Sequence, residues 1–356
     1  MMDPKMQRFF KAMVERSASD LHLTVGSPPM LRINEELVPM ELPPLTPEES
    51  RRLTYSLLSP EQITVFEREK ELDMSFGIEG HGRFRVNVFQ QRGSLSAAIR
   101  LLPDRILSFE ECGLNPKLME EICRRKKGLV LITGATGSGK STTMAAMVGW
   151  INQHRKCHIV TVEDPIEYVH SNRMALVDQR ELGSDTHSFQ AALKHVLRED
   201  PNVILIGEMR DLETIESALN IAETGHLVLA TLHTSDAVQS INRIVDVFPA
   251  HQQQQIRIQL SFVLLSVLAQ QLVPGLSGER RRLAAEVMIA TTPIRALIRE
   301  GKSHQIYSVI QTSHREGMRT MNQSLAELYA KKEIAYDEAM ARSQDPEELL
   351  RLVHPG

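Results

Sequence analysis

Apolar residues recur at helical spacing from Met6 to Ser17, and Asp20-Leu-His-Leu-Thr24 then alternates as a strand does. Gly26-Ser-Pro-Pro29 breaks that alternation, and Met30-Leu-Arg-Ile-Asn34 resumes it as a hairpin partner. Thr46 to Leu58 reads as a capped helix, with Thr46 as N-cap, Pro47 at the first helical position and Glu49 close to the capping-box place. Between Glu71 and Leu102 the pattern predicts strands at Asp73–Phe76, Gly82–Phe89 and Leu95–Leu101. Proline and polar residues interrupt the pattern from Pro103 to Phe109, as expected of a linker. From Pro116 onward, strands and helices alternate. Leu129–Thr133, His158–Val162, Val203–Ile206 and Leu227–Thr231 are the candidate parallel strands. Their uniformly apolar, β-branched character predicts a sheet covered on both faces. Ile256 to Val273 reads as a buried helix, and Thr292 to Leu352 mostly as helices. The expected division is therefore an α+β domain over residues 1–102, a linker over 103–115 and an α/β domain over 116–356, helical from about 290.

Composition narrows the class. With 356 residues, 42% hydrophobic and 24% charged, the chain is long enough for two cores of ordinary soluble character. The net charge of −4 and an aromatic content of 4% argue against a nucleic-acid binder. The 3 cysteines, Cys112, Cys123 and Cys157, have no metal-ligand spacing and fit a reducing cytoplasm. No signal peptide is expected at Met1 to Ser17, and Arg257, Gln259, Gln270 and Gln271 interrupt the most apolar stretch, so no direct membrane span is expected.

The candidate chemistry begins directly after the first parallel strand. Gly134-Ala-Thr136-Gly137-Ser138-Gly139-Lys140-Ser141-Thr142 is the G-x-x-x-x-G-K-[ST] phosphate loop between a buried strand and a helix. Its glycines allow backbone N–H groups to close around a polyphosphate, and the helix start adds a positive dipole end. Lys140 is expected on the β- and γ-phosphates and Ser141 on Mg²⁺. The next strand ends in Thr161-Val-Glu163-Asp164-Pro-Ile-Glu167-Tyr168, which places carboxylates beside the nucleotide crevice. Val203-Ile-Leu-Ile-Gly207-Glu208 is an apolar strand ending in an acid, the Walker B arrangement. Glu163 and Glu208 both suit water activation or Mg²⁺ binding, and spacing alone does not divide these roles. Gly225-His226 opens and His233-Thr234 closes the fourth strand. The two histidines stand about 20 Å apart when extended, so they do not share a metal. His233 is the better phosphate contact, and His226 equally suits a structural role. Arg83 and Arg85 share a strand face, with Arg92 and Arg100 nearby in sequence. A solvent-facing basic stripe and a phosphate clamp both fit them.

These blocks, in this order, resemble the secretion and pilus superfamily of hexameric ATPases, most closely its PilT type, the retraction motors of type IV pili. Gly134–Thr142 matches its Walker A loop, Thr161–Val169 its Asp box, Val203–Glu208 its Walker B strand and Gly225–His233 its His box. Further matching stretches are Ala18–Leu23, Gly82–Phe89, Leu197–Pro201 and Gly207–Thr214. Pro293-Ile-Arg-Ala-Leu-Ile-Arg-Glu300 looks like the signature of retraction motors, with Ile294 and Arg295 standing after Pro293, where many relatives carry an alanine. Thr292 as cap and Pro293 at the first position would also make it an ordinary amphipathic helix start.

The resemblance implies a RecA-like ATPase domain preceded by a PAS-like domain, assembled as a homohexamer. It implies ATP and Mg²⁺ as ligands, with Arg83, Arg85 and Arg100 approaching the phosphates. It assigns water activation to Glu163, the Mg²⁺ network to Glu208 and γ-phosphate contact to His233. It implies a cytoplasmic motor docked at the inner-membrane base of the pilus machine, acting on a platform protein there, with a paralogous retraction ATPase as a further partner. The competing readings are an accessory retraction ATPase of the PilU type, an assembly ATPase, a RecA-like nucleic-acid translocase and a non-hydrolysing nucleotide sensor. The assembly type commonly carries a four-cysteine zinc module, which three scattered cysteines do not build.

Overall fold

A computed structural model describes residues 2–33, 36–78, 81–102, 105–276 and 281–354. Asn34 of the expected second strand and residues 103–104 of the expected linker lie outside them. The chain divides into two compact units, Met1–Arg105 and Ile106–Gly356.

Among the described residues, the first unit is a six-stranded antiparallel sheet with three helices. α1 (Pro4–Glu15) precedes β1 (Asp20–Leu23), β2 (Met30–Ile33) and β3 (Glu36–Pro39). α2 (Pro47–Tyr55) and α3 (Pro60–Glu69) follow, then β4 (Glu71–Ile78), β5 (Gly82–Gln91) and β6 (Ser94–Leu101). The strand order is β3-β2-β1-β6-β5-β4. Thr46 caps α2 as expected, its hydroxyl accepting from Glu49 N. α3 was not expected, although Ser59 and Gln62 form a full capping box around Pro60. Phe84, Val86 and Val88 alternate inward from β5 onto Phe10, Leu21 and Ile99. That alternation turns Arg83 and Arg85 to the other face.

The second unit is a seven-stranded sheet between helices. Its elements begin with α4 (Pro116–Arg124), β7 (Gly128–Thr133), α5 (Lys140–His154), β8 (His158–Glu163) and β9 (Leu176–Glu181). They continue with α6 (Phe189–Val196), β10 (Val203–Ile206), α7 (Leu212–Glu223), β11 (Leu227–Leu232), α8 (Ala237–Asp246) and α9 (Ala250–Val263). β12 (Leu264–Pro274), β13 (Arg281–Ile289) and the helices α10 (Thr292–Arg299), α11 (Ile306–Thr312), α12 (Met321–Ala330), α13 (Tyr336–Arg342) and α14 (Pro346–Val353) complete it. The sheet order is β13-β12-β7-β11-β10-β8-β9, and the four expected strands lie side by side as its parallel centre. Successive residues of β7 enter opposite cores. Leu129 and Leu131 pack with α6 to α9, while Val130 and Ile132 pack with α4 and α5. Met321, Leu325 and Leu349 fix the last helices onto Val273 and Ala284 of the β12–β13 pair.

The expected helix over Ile256–Val273 is corrected. α9 ends at Val263, Leu264 adopts φ −64° and ψ 129°, and the rest of the stretch is β12. β12 runs parallel to β7 and antiparallel to β13. Apolar residues dominate the stretch on both sides of Leu264, so its period alone does not separate the two states, and the open slot beside β7 decides. The start of α10 also shifts by one residue: Thr291, not Thr292, is its N-cap.

Trp150, the 1 tryptophan of the chain, sits in α5 and reports on this unit. Leu268 of β12 is 1% exposed, whereas Phe262, near the end of α9, is 65% exposed. Leu268→Ala is expected to cost ~2–5 kcal/mol in urea unfolding followed by Trp150 fluorescence. Phe262→Ser should stay within about 0.5 kcal/mol of wild type. Equal effects would contradict the placement of residues 264–274 as a central strand.

Candidate functional site

The phosphate loop leaves the carboxyl end of β7 at Gly134, where φ is +139°. A Cβ there would lie 2.4 Å from the Gln270 carbonyl oxygen and 2.5 Å from Ser138 Oγ, so only glycine fits. Gly137 (φ +80°) and Gly139 (φ +92°) continue the loop through conformations that L side chains rarely adopt. α5 then starts at Lys140 without a side-chain cap, which leaves its first N–H groups for a ligand. Ser138 Oγ is buried without a hydrogen-bond partner among the described residues. Thr136 is exposed at the crest of the loop, and Ser141 is half-buried on the first turn. Thr142 Oγ1 and the Tyr168 hydroxyl lie 3.0 Å apart, which ties the helix start to the segment after β8. Lys140 Nζ donates to the carbonyls of Gly134 at 2.8 Å and Ala135 at 3.0 Å. Burial pulls its pKa down, and the charges of Glu208 and Glu167 act against that pull. Free amides, one lysine, a serine on the first turn and the unpartnered Ser138 hydroxyl form a donor set that fits a polyphosphate with Mg²⁺.

Two carboxylates and a histidine end the adjacent strands. Thr161 and Glu163 share one face of β8, and Thr161 Oγ1 donates to Glu163 Oε1 at 2.6 Å. Gln179 Nε2, from β9, donates to the same oxygen at 3.2 Å. Burial still holds the Glu163 pKa above the ordinary glutamate value, aided by the Glu167 charge and opposed by these two donors. Gly207 N donates to Val162 O at 2.8 Å, and a Cβ on Gly207 would lie 3.2 Å from Glu163 Cα. On the other side, Met209 N donates to Thr231 O at 3.1 Å, and Thr231 Oγ1 donates to Gly207 O at 2.5 Å. These bonds pin Glu208 between the ends of β8 and β11. Arg210 Nε lies 2.6 Å from Glu208 Oε1, and His233 Nε2 lies 3.1 Å from the same oxygen. Burial alone would raise the Glu208 pKa. The Arg210 hydrogen bond and the His233 and Arg210 charges together hold it below the ordinary value.

Lys140, Glu163, Glu208 and His233 thus gather at one edge of the sheet. His226 does not: it opens β11 at the opposite edge, where its Nδ1 lies 3.2 Å from Ile221 O and 3.1 Å from Thr224 Oγ1. Arg83, Arg85 and Arg100 lie in the first unit. Arg85 and Arg100 face each other across the β5–β6 ladder. Arg100 Nε donates to Asp20 Oδ1 at 2.8 Å, and Arg83 Nη2 donates to Ser75 Oγ at 2.6 Å. Three residues add to the sequence-derived set. Gln270 braces the loop from β12, and its Nε2 donates to Thr143 Oγ1 at 2.7 Å. Gln179 orients Glu163, and Arg210 pairs with Glu208. Arg210 falls within the Gly207–Thr214 stretch, but the glutamines carry no local signal because they act across strands.

A family profile described as "Type II/IV secretion system protein" matches residues 2–307. The chain is 46% identical over 333 residues to the "Type IV pilus retractation ATPase PilT" of Pseudomonas aeruginosa, covering 94% of this chain and 96% of that one. It is 40% identical over 352 residues to the "Type IV pilus ATPase PilU" of the same organism, covering 99% and 92%. A "Twitching motility protein" of Neisseria gonorrhoeae is 44% identical over 321 residues, covering 90% and 86%. Among solved structures, the "Pilus Retraction Motor PilT and Bound ADP" superposes with a TM-score of 0.91 at 51% identity, over 97% of this chain and 98% of that one.

The Glu163 environment is testable without any assay of activity. In a ¹³C NMR titration, its carboxyl should titrate above the ordinary midpoint of about 4.3. Gln179→Leu removes a donor to the ionised form and should move that midpoint further up. An unmoved or lowered midpoint would contradict the arrangement.

Proposed function

The chain belongs to the family of type II/IV secretion system proteins, and on that premise we propose that it is an ATP-hydrolysing motor of type IV pilus retraction. The observation that carries this reading is the pairing of the phosphate loop with Glu163 and the Glu208–His233 pair on neighbouring strand ends. The likeness to a retraction motor with bound ADP over nearly the whole chain supports the nucleotide as ligand.

Phosphoryl transfer asks a protein mainly for positioning and charge stabilisation. The loop amides and Lys140 grip the phosphates of ATP. Ser141 and Glu208 are the residues that would hold Mg²⁺, which would supply charge neutralisation on the phosphate oxygens. Glu163 orients the attacking water, and its raised pKa brings it closer to neutral pH as a base. His233, hydrogen-bonded to Glu208, reads the γ-phosphate. Arg83, Arg85 and Arg100 are the guanidinium groups we assign to the developing phosphoryl charge. The working form is a ring of six at the inner-membrane base of the pilus, where it turns a platform protein as hydrolysis proceeds. The segment joining the two units is the hinge this reading requires. The similarity to the PilU ATPase over 99% of the chain favours one alternative, an accessory retraction ATPase. Expression in a strain lacking its principal retraction motor separates the two: restored twitching identifies the principal type, and continued immobility the accessory one.

Lys140→Ala should abolish ATP turnover and leave the unfolding transition in place. Glu163→Gln should bind nucleotide normally and lose ~10²–10⁴ in turnover. Normal turnover by Glu163→Gln together with an inactive Glu208→Gln would reverse their roles. Because Glu163 must be ionised to act, wild-type turnover should fall as pH drops through its raised pKa. Gln179→Leu should shift that acid limb to higher pH.

A further inference from the structure

Two cavities of about 470 Å³ and 660 Å³ share Lys126 and open where β7, β8, β10 and β11 begin, at the end of the sheet away from the phosphate loop. Within the second unit they adjoin at Lys126 as a trough. Cations from three separate segments line it, namely the run Arg124–Lys127, the pair Arg155–Lys156, and Arg295 of α10, and they outnumber its two carboxylates, Asp200 and Glu223. Arg124 and Arg125 pair with Glu120 and Glu121 one turn back. Arg155 donates to the carbonyls of Cys123 and Arg125. Lys126, Lys127 and Lys156 are exposed, and among the described residues no carboxylate pairs with them. Arg295 is half-buried, donates to the carbonyls of Ser261 and Phe262, and feels Arg125 and Arg299 as like charges. The chain as a whole carries −4, so this concentration of cations does not reflect its composition.

We propose that the trough is a docking site for an acidic peptide segment of a partner protein. Charge complementarity selects an anion, and the apolar floor selects a peptide. Phe262 stands 65% exposed beside Val263 and Leu265, an anchor for one apolar side chain between carboxylates. A nucleobase has no platform here. Trp150 stacks on His154 at 4.4 Å on one side, and the Arg124 guanidinium lies 5.1 Å from the same ring. A bilayer would meet a flat or convex face, whereas this surface is concave. The site does not overlap the nucleotide loop, yet β7 and α5 each run from one to the other. α5 spans about 22 Å between Lys140 and His154.

The test uses the full chain and a short fluorescein-labelled peptide of Glu and Asp residues around a single Phe, read by anisotropy. Wild type should bind it, bind the Gln/Asn counterpart far more weakly, and keep it when ATP is added. Lys126→Glu/Lys127→Glu should bind about tenfold more weakly, and Phe262→Ser severalfold, with ATPase activity unchanged. On wild type, the peptide should also protect Lys126, Lys127 and Lys156 from acetylation but not the exposed Lys117 or Lys194, a readout that needs no variant. Equal binding of the neutral peptide, displacement by ATP, or undiminished binding by the charge-reversed variant would overturn the proposal. So would capture by phosphatidylglycerol vesicles or single-stranded DNA in place of the peptide. Dissociation of the assembly on charge reversal would mark the trough as a contact between copies and overturn it as well.

Discussion

The backbone of Gly134 approaches the carbonyl of Gln270 so closely that no side chain fits between them. This contact joins the first turn of the phosphate loop to β12, the strand that fills the slot beside β7. It forces the chain out of the sheet at Gly134, which sets where the loop amides and the first turn of α5 stand. The same strand supplies the Gln270 amide to Thr143, so loop and helix start share one brace. A loop held this way presents its donors without having to order them as a ligand arrives, the condition under which charge stabilisation is most effective.

The opposite side of the crevice is built by hydrogen bonds between strand ends. Gly207 sits against Val162 and Glu163, and Met209 against Thr231, so three successive parallel strands each deliver one functional group. The environments of the two acids then diverge. Burial raises the Glu163 pKa, whereas Arg210 and His233 keep Glu208 ionised. Spacing leaves their roles open, and this electrostatic asymmetry supports the proposed division into a water-orienting base and a charge that holds a cation. The phosphate loop and the basic trough occupy opposite ends of β7 and α5, so one pair of rigid elements spans chemistry and a surface for a partner.

The sequence disclosed what is contiguous. The phosphate loop is a single run of residues. Glu163, Glu208 and His233 each follow an apolar strand, and strand ends on a parallel sheet face one crevice. The boundary at Leu264 was hidden because helix and strand are equally apolar in that stretch, and only the vacancy beside β7 chooses between them. Gln179 and Gln270 were hidden for a related reason: each serves a residue on another strand. The edge strand β9, which carries Gln179, is itself partly polar and follows a long irregular connection. The trough was hidden because its cations come from three distant segments that meet only when the sheet closes.

Hydrogen exchange measured with and without a non-hydrolysable ATP analogue and Mg²⁺ reads out whether the loop amides close on phosphate. Slowed exchange should concentrate in the amides of residues 134–142, with smaller slowing at 163–168 and 207–210. Unchanged exchange at 134–142 in protein that binds the analogue would contradict that closure.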